Sequence, residues 1–141
     1  YIDRFIVSNE KRVLLDSNIF SKYKNKLIFP VKNYQNIINY KVIKNIKFNY
    51  SFKIAKTTWK VKNNFCIIPN SLVATFGLAV IFAGNPKEIF AVGMDGKNFD
   101  EVNKNQINDF CHFLKLKFNK KVISLTKSIY NFDMDSIYKY I

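Results

Sequence analysis

Histidine, cysteine, proline and glycine are all scarce in this chain of 141 residues. It contains one histidine, two cysteines, three prolines and four glycines. This scarcity excludes the usual zinc sites, because neither Cys66 nor Cys111 belongs to a Cys-x-x-Cys pair or to a cluster with metal-ligand spacing. We therefore predict no metal site and no cofactor, and we expect two buried free thiols.

Sequence signatures of nucleotide binding and catalysis are also absent. There is no Walker loop, no Gly-x-Gly-x-x-Gly run and no nucleophile elbow, so a nucleotide site would have to be built differently. The only histidine, His112, has no Ser, Cys or carboxylate partner at a catalytic spacing. We interpret His112 as a helix-surface residue and Trp59 as a packing residue, and we predict no catalytic residue.

No apolar run is long enough to span a bilayer. The longest run, Leu72 to Ala83, already contains Thr75 and Gly77. The first six residues lack the basic region, apolar region and cleavage site of a signal peptide, and the chain begins with Tyr1. We expect a soluble, cytoplasmic domain that is part of a longer bacterial protein.

Positive charge, in contrast, is abundant. The formal net charge is +13, which ordinarily indicates nucleic acid or an anionic membrane as a partner. The charge comes from 21 lysines and only two arginines, and asparagine and isoleucine are similarly frequent, as codon usage in an A/T-rich genome would produce. The lysines are spread from Lys11 to Lys139 without a dense block. We therefore do not expect nucleic acid as a partner, and a basic nucleic-acid-binding module remains a third hypothesis.

Hydrophobic patterning predicts six strands and two long helices. A strict alternation over Ile46–Ile54 predicts an edge or antiparallel strand with one wet face. Short apolar runs predict the other strands at Arg4–Ser8, Lys26–Phe29, Phe65–Ile68, Glu88–Met94 and Val122–Leu125, the Glu88–Met94 strand being central.

The first predicted helix, Leu72–Ala83, would be capped by Asn70 or Ser71, and Gly77 would allow a neighbour to approach closely. The second is amphipathic over Ile107–Phe118 and would begin near Asp100 and Glu101. Strands that alternate with helices predict one α/β domain over residues 1–141. We expect a Rossmann-like, doubly wound, mainly parallel sheet with helices on both faces and room for one antiparallel edge strand.

Polar residues follow several predicted strands. Ligands of open α/β sheets bind beyond the carboxyl ends of the strands, where Ser8–Asn9, Gly93–Lys97 and Ser124–Thr126 would lie. Asp95 lies between two glycines and could accept hydrogen bonds from a sugar hydroxyl, or could merely stabilise a turn. A phosphate would bind at Lys97 or Ser71. The predicted ligand-binding residues are Asn70, Ser71, Asp95, Gly96, Lys97 and Ser124.

Three segments resemble a domain found in bacterial surface-polysaccharide and lipopolysaccharide gene clusters: Asn70–Gly84, Lys87–Gly96 and Val122–Thr126. They are similar to the C-terminal domain appended to aldolase-like proteins of the HMG-CoA-lyase-like, 4-hydroxy-2-oxovalerate-aldolase-like group. In that group the aldolase chemistry belongs to a separate metal-dependent barrel. The resemblance covers roughly the second half of the chain. It implies an accessory domain, inactive alone, that binds a nucleotide, a sugar or its parent aldolase-like domain.

The same helix, strand and Gly-x-Asp pattern is similar to sialyltransferases of Campylobacter type, whose Rossmann-like domain binds a cytidine-monophosphate sugar. That resemblance implies that Ser71 lies near the nucleotide and Asp95 near the end of its strand. Lys97 stands where those enzymes have a tyrosine, and no histidine follows in the lid segment. A fragment of a sialyltransferase-like glycosyltransferase that uses a nucleotide sugar is therefore the alternative hypothesis.

Overall fold

The structure, a computed structural model, describes residues 4–34, 46, 48–96 and 100–140. The chain divides into two compact units, Tyr1–Ala83 (unit 1) and Gly84–Ile141 (unit 2). Both units are mixed α/β, with small three-stranded sheets whose strands pair mainly in parallel. The predicted α/β class with mainly parallel pairing is confirmed at this level.

The first sheet of unit 1 is wholly parallel. Its strand order is β1-β2-β3, where β1 is Phe5–Ile6, β2 is Leu27–Phe29 and β3 is Phe48–Asn49. Among the described residues, the helices that lie between these strands in sequence are α1 (Glu10–Leu15), α2 (Ser17–Lys22) and α3 (Val31–Tyr34). The β1 and β2 strands confirm two of the predicted apolar runs. Leu27 and Phe29 are almost completely buried, which explains why this short strand is the centre of the sheet.

The second sheet of unit 1 has the order β4-β6-β5, where β4 is Ser51–Ile54, β5 is Lys60–Val61 and β6 is Phe65–Ile68. The β4 strand pairs with β6 in parallel, whereas β5 pairs with β6 antiparallel and forms the other edge. Helix α4, Val73–Ala83, belongs to the same unit. The ring of Phe76 in α4 lies 5.4 Å from that of Phe52 and 5.9 Å from that of Tyr50, so aromatic packing joins the helix to this sheet.

The alternating segment Ile46–Ile54 forms two short strands in two sheets, so the prediction of one strand is wrong. Tyr50 separates them; its side chain is buried and its hydroxyl donates a 2.6 Å hydrogen bond to the Lys62 carbonyl. The chain therefore leaves the first sheet before the anchored Tyr50 side chain and enters the second sheet after it. The edge position of β4 is confirmed, but its pairing is parallel, and the antiparallel edge strand of this sheet is β5.

Asn33 of α3 holds the free edge of β4. Its side-chain amide donates a 2.7 Å hydrogen bond to the Phe52 carbonyl, and its Oδ1 accepts a 3.1 Å hydrogen bond from the Phe52 amide. Both backbone groups of Phe52 on that edge are therefore paired. This contact also places the neighbouring Lys32 beside β4.

Helix α4 confirms the predicted helix to within one residue at its start. The Oδ1 of Asn70 accepts hydrogen bonds from the Leu72 amide and the Thr75 hydroxyl, at 3.2 and 2.7 Å, so Asn70 stabilises this helix start as predicted. The prediction of a close neighbour at Gly77 is wrong: a Cβ there would meet no described atom within 4 Å. Val73 is 53% exposed, so this helix is not buried all round although its sequence is almost entirely apolar.

Unit 2 contains one parallel sheet with the order β7-β8-β9. Its elements are β7 (Phe90–Ala91), α5 (Glu101–Phe118), β8 (Ile123–Ser124), β9 (Asp133–Met134) and a short 3-10 helix (Ile137–Lys139). The predicted strand at Glu88–Met94 is only two residues long and lies at the sheet edge, so its predicted central position is wrong. Val92 is 61% exposed, and the central strand is β8.

Helix α5 supplies the core of unit 2 and confirms the amphipathic pattern. Ile107, Phe110 and Leu114 are completely buried, as spacings of three and four residues predict. The Oδ1 of Asp100 accepts a 2.7 Å hydrogen bond from the Asn103 amide and caps the helix. The predicted helix start at Asp100 and Glu101 is therefore confirmed.

Candidate functional site

The predicted site residues are distributed over both units. Asn70 and Ser71 belong to unit 1, whereas Asp95, Gly96 and Ser124 belong to unit 2. Lys97 lies outside the described residues.

A cavity of about 570 Å³ lies beyond the carboxyl ends of β7 and β8 in unit 2. Because these two strands are parallel neighbours, the loops that follow them meet at one edge of the sheet. The first loop contributes the acidic side chain of Asp95. Lining residues are Gly93, Asp95, Thr126, Lys127, Ser128 and Ile129.

Hydrogen bonds between the two loops hold the shape of this cavity. The Gly93 amide donates to the Thr126 hydroxyl over 3.0 Å, and the Ser128 hydroxyl donates to the Met94 carbonyl over 2.7 Å. Gly93 has a φ of 71°, which favours glycine at this turn. The carboxylate of Asp95 is thus presented by a cross-linked turn and is exposed to solvent.

Ser124, the last residue of β8, is not among the residues that line this cavity. It is completely buried, and its hydroxyl donates a 2.7 Å hydrogen bond to the Thr126 carbonyl. The residue therefore positions the Thr126 loop. Thr126 itself was within the strand-end group identified from the sequence, whereas Ser128 was not, because it lies four residues beyond the end of β8 and follows no recognisable motif.

Gly96 and Tyr130 pack together behind Asp95. Gly96 has a φ of 69°, and a Cβ there would lie 3.3 Å from Cζ of Tyr130. The hydroxyl of Tyr130 is buried and has no hydrogen-bond partner among the described residues. Burial, followed by the negative charge of Asp95, raises the pKa of Tyr130. Behind Asp95 there is therefore a neutral hydroxyl whose hydrogen-bonding capacity is unused within the described chain.

Ser71 lines a smaller cavity of about 290 Å³ in unit 1, together with Ser8, Asn9, Lys11 and Tyr34. The Ser8 hydroxyl donates to the Ser71 carbonyl over 3.2 Å, and the Tyr34 hydroxyl donates to the Ser8 carbonyl over 2.7 Å. The structure thus joins the end of β1 to the start of α4. Tyr34 carries no sequence signal for this position, because it comes from a separate short helix.

His112 lines a different cavity of unit 2, about 280 Å³ in volume, on the exposed side of α5. Lys121 and Asp133 form a 2.6 Å ion pair at this cavity, and the Lys121 hydrogen bond lowers the pKa of Asp133. The helix-surface position predicted for His112 is confirmed.

Neither cysteine forms a disulfide within the described chain. Cys66 is completely buried and Cys111 is half-buried, and burial raises the pKa of each thiol to about 12. The prediction of buried free thiols is confirmed for Cys66, whereas Cys111 retains partial exposure.

Within the described ranges, no three His, Cys, Asp or Glu side chains group as metal ligands. No helix of the described chain combines the length and apolar character required to cross a bilayer.

Comparisons of the chain with known protein families, with curated proteins and with solved structures give no match.

Proposed function

We propose that unit 2 binds a nucleotide, a sugar or a sugar nucleotide in the cavity at Asp95. In this proposal the chain is a Rossmann-like accessory domain of an aldolase-like protein of carbohydrate biosynthesis. The observation that carries the binding proposal is the 570 Å³ cavity at the carboxyl edge of two parallel strands, lined by one carboxylate and two hydroxyls.

The polar groups of this cavity suit a ligand with hydroxyls and a phosphate. Asp95 accepts hydrogen bonds from neighbouring ribose or sugar hydroxyls, and such charge-assisted bonds are strong. The Thr126 hydroxyl accepts from the Gly93 amide, which leaves its proton to donate to a ligand. Lys127 is exposed at the rim and supplies positive charge for a phosphate, the role predicted from the sequence for Lys97. Ile129 adds an apolar wall for a base or a sugar ring.

The strand arrangement supports a Rossmann-like interpretation. In unit 2, α5 lies between the parallel neighbours β7 and β8 in sequence, which is one βαβ unit. In unit 1, α1 and α2 lie between the parallel neighbours β1 and β2. Repeated parallel crossovers of this kind are typical of doubly wound folds, in which ligands bind at the carboxyl ends of the strands.

An accessory role is favoured over the alternative, a sialyltransferase-like fragment. A glycosyl transfer needs a base to activate the acceptor hydroxyl. His112 lines a different cavity of unit 2, and the described residues around Asp95 include no histidine. We therefore assign binding, without catalysis by the isolated chain, to the Asp95 cavity.

Titration by NMR tests this proposal. Cytidine monophosphate and a cytidine-monophosphate sugar are added to the wild-type chain, to Asp95→Asn and to the matched control Asp109→Asn, which removes an exposed carboxylate at the His112 cavity. We expect shifts at Gly93, Thr126 and Ser128, and we expect Asp95→Asn to weaken binding by at least about tenfold, because it removes charge-assisted hydrogen bonds. Asp109→Asn should leave affinity unchanged. Shifts confined to other residues, or equal affinities of both variants, would show that the assignment is wrong.

A further inference from the structure

The two units differ sharply in acidic content. Unit 1 has 12 lysines, two arginines and three acidic residues, whereas unit 2 has nine lysines and seven acidic residues. Lysine is about equally frequent in both units, so codon usage accounts for the lysines. It does not account for the scarcity of acidic residues in unit 1, which concentrates the net positive charge there.

The β4-β6-β5 sheet of unit 1 gathers part of this charge on one face. In the register of the sheet, Lys53 and Lys60 both lie beside Ile67, one on each side. Side chains alternate along a strand, so Phe65 shares a face with Ile67. The Lys62 amide, just after β5, donates to the Phe65 carbonyl over 2.9 Å, which continues the antiparallel pairing and places Lys62 on the same face as Lys60. The three lysines are exposed, while Phe65 and Ile67 are half-buried between them. We call these five residues the basic sheet face.

The opposite face of the sheet is apolar and is buried except at Ile54, at the end of β4. Phe52, Val61 and Cys66 are each at most 6% exposed. The sheet is thus anchored from behind, and its lysines are left in solvent. Among the described residues, none of the three lysines forms an ion pair with an acidic side chain.

A cavity of about 290 Å³ borders the basic sheet face at Phe65. The other residues that line it are Lys32, Asn49, Ser51 and Asn64. Its lining is therefore mainly polar, with one cation and three residues whose side chains can form hydrogen bonds, and Phe65 lies at its border. The Asn33 contact with β4 holds Lys32 beside this cavity, so the fourth lysine is positioned by the fold.

We infer that the basic sheet face of unit 1 binds single-stranded nucleic acid. Lys32, Lys53, Lys60 and Lys62 neutralise phosphates, and Phe65 stacks against an unpaired base at the cavity. Lysines that flank Ile67 on both sides are about 10 Å apart, given the usual spacing between strands, so together they can follow a backbone across the sheet. The inference concerns unit 1 alone and does not depend on the Asp95 cavity.

The geometry favours a single strand over the other polyanions. Duplex DNA is read by a helix or ribbon that enters a groove, whereas this surface is the open side of a sheet with an aromatic side chain at the start of its central strand. An anionic membrane would need large apolar side chains that protrude beyond the lysines. Here the apolar residues between the lysines are half-buried. Because this face carries lysine and no arginine, we expect it to bind single strands with little preference for their sequence.

Fluorescence anisotropy with labelled oligo-dT of about 15 nucleotides tests the inference on the full chain. We expect the triple variant Lys53→Gln, Lys60→Gln, Lys62→Gln to bind at least about tenfold more weakly at low salt. The slope of log affinity against log salt should fall by about 2, since roughly 0.7 is lost per phosphate contact on a single strand. Phe65→Leu should weaken binding by about tenfold and leave that slope unchanged.

The matched control removes the same charge from unit 2 by Lys87→Gln, Lys115→Gln, Lys117→Gln, all at exposed lysines. It should retain most of the affinity. Equal losses in both triple variants would overturn the inference, because binding would then follow total charge. Binding of a DNA duplex of the same length as tightly as the oligo-dT, or more tightly, would also overturn the inference. So would binding to phosphatidylserine vesicles by a chain that does not bind the oligonucleotide.

Discussion

Gly96 shows how one backbone position can decide the shape of the candidate site. Its φ of 69° is unfavourable for residues that carry a side chain, and a Cβ there would lie 2.5 Å from Cγ1 of Ile129. Gly93 has nearly the same φ, 71°, but a Cβ there would meet no described atom within 4 Å. A substitution at Gly93 therefore tests the cost of the backbone conformation alone, whereas one at Gly96 adds the cost of a side-chain clash.

We predict that Gly96→Ala lowers the free energy of unfolding by about 2 to 3 kcal/mol, because it adds a steric clash to the cost of the left-handed conformation. Gly93→Ala should cost only about 1 kcal/mol, since it carries the backbone term alone. Urea unfolding of the two variants measures the difference. Equal destabilisation would mean that Ile129 moves aside without cost.

At the scale of elements, helix α5 was the easiest to predict and the alternating segment Ile46–Ile54 the hardest. The spacing of Ile107, Phe110 and Leu114 specifies one helical face, and all three are buried as that spacing requires. Alternation within Ile46–Ile54 specifies only which side chains share a face. The alternation does not indicate which sheet each half of the segment joins. In the structure the change of sheet occurs at Tyr50, whose hydroxyl donates to the carbonyl of Lys62, 12 residues away.

The start of α5 depends on Asp100, which accepts a hydrogen bond from the Asn103 amide. We predict that Asp100→Ala lowers the free energy of unfolding by about 1 kcal/mol, because one amide of the first turn loses its partner. Asp109→Ala, in the middle of the same helix, is the control for loss of an acidic side chain and should change stability little. Thermal unfolding followed by circular dichroism compares them. A larger loss for Asp109→Ala would contradict the capping role.

At the scale of the whole molecule, the sequence predicts the class of fold but not the grouping of its functional residues. Asp95 could be identified because it follows an apolar run between two glycines, and it does line a cavity. Tyr34 and Ser128 could not, since their positions depend on contacts with distant segments, over 2.7 Å hydrogen bonds to Ser8 and Met94. The basic sheet face could not be predicted either, because its lysines lie in β4, in β5 and just after β5, which only pairing with β6 places side by side.

The buried thiol of Cys66 makes the stability of the fold depend on pH above about pH 9. Burial raises the pKa of Cys66 from its ordinary value of 9 to about 12, so the folded chain holds this proton more tightly than the unfolded chain. The stabilisation is complete below about pH 9 and is lost as the pH rises toward 12. We predict that Cys66 alone lowers the free energy of unfolding by about 2 kcal/mol between about pH 8.5 and 10.5.

The comparison of wild type with Cys66→Ala isolates this effect, because deprotonation of the many lysines is common to both chains. We expect the stability difference between them to shrink as the pH rises. Urea unfolding at several pH values provides the measurement. A constant difference would mean that the thiolate is not penalised in the folded state.

The Asn33 side chain has a consequence for self-association. Strand β4 is at the edge of its sheet, and an edge strand with free amides and carbonyls is a template for strand addition from another molecule. Asn33 occupies both backbone groups of Phe52, near the middle of that edge. An incoming strand would have to displace this amide before it could pair. We therefore expect the Asn33 side chain to oppose edge-to-edge association at this strand.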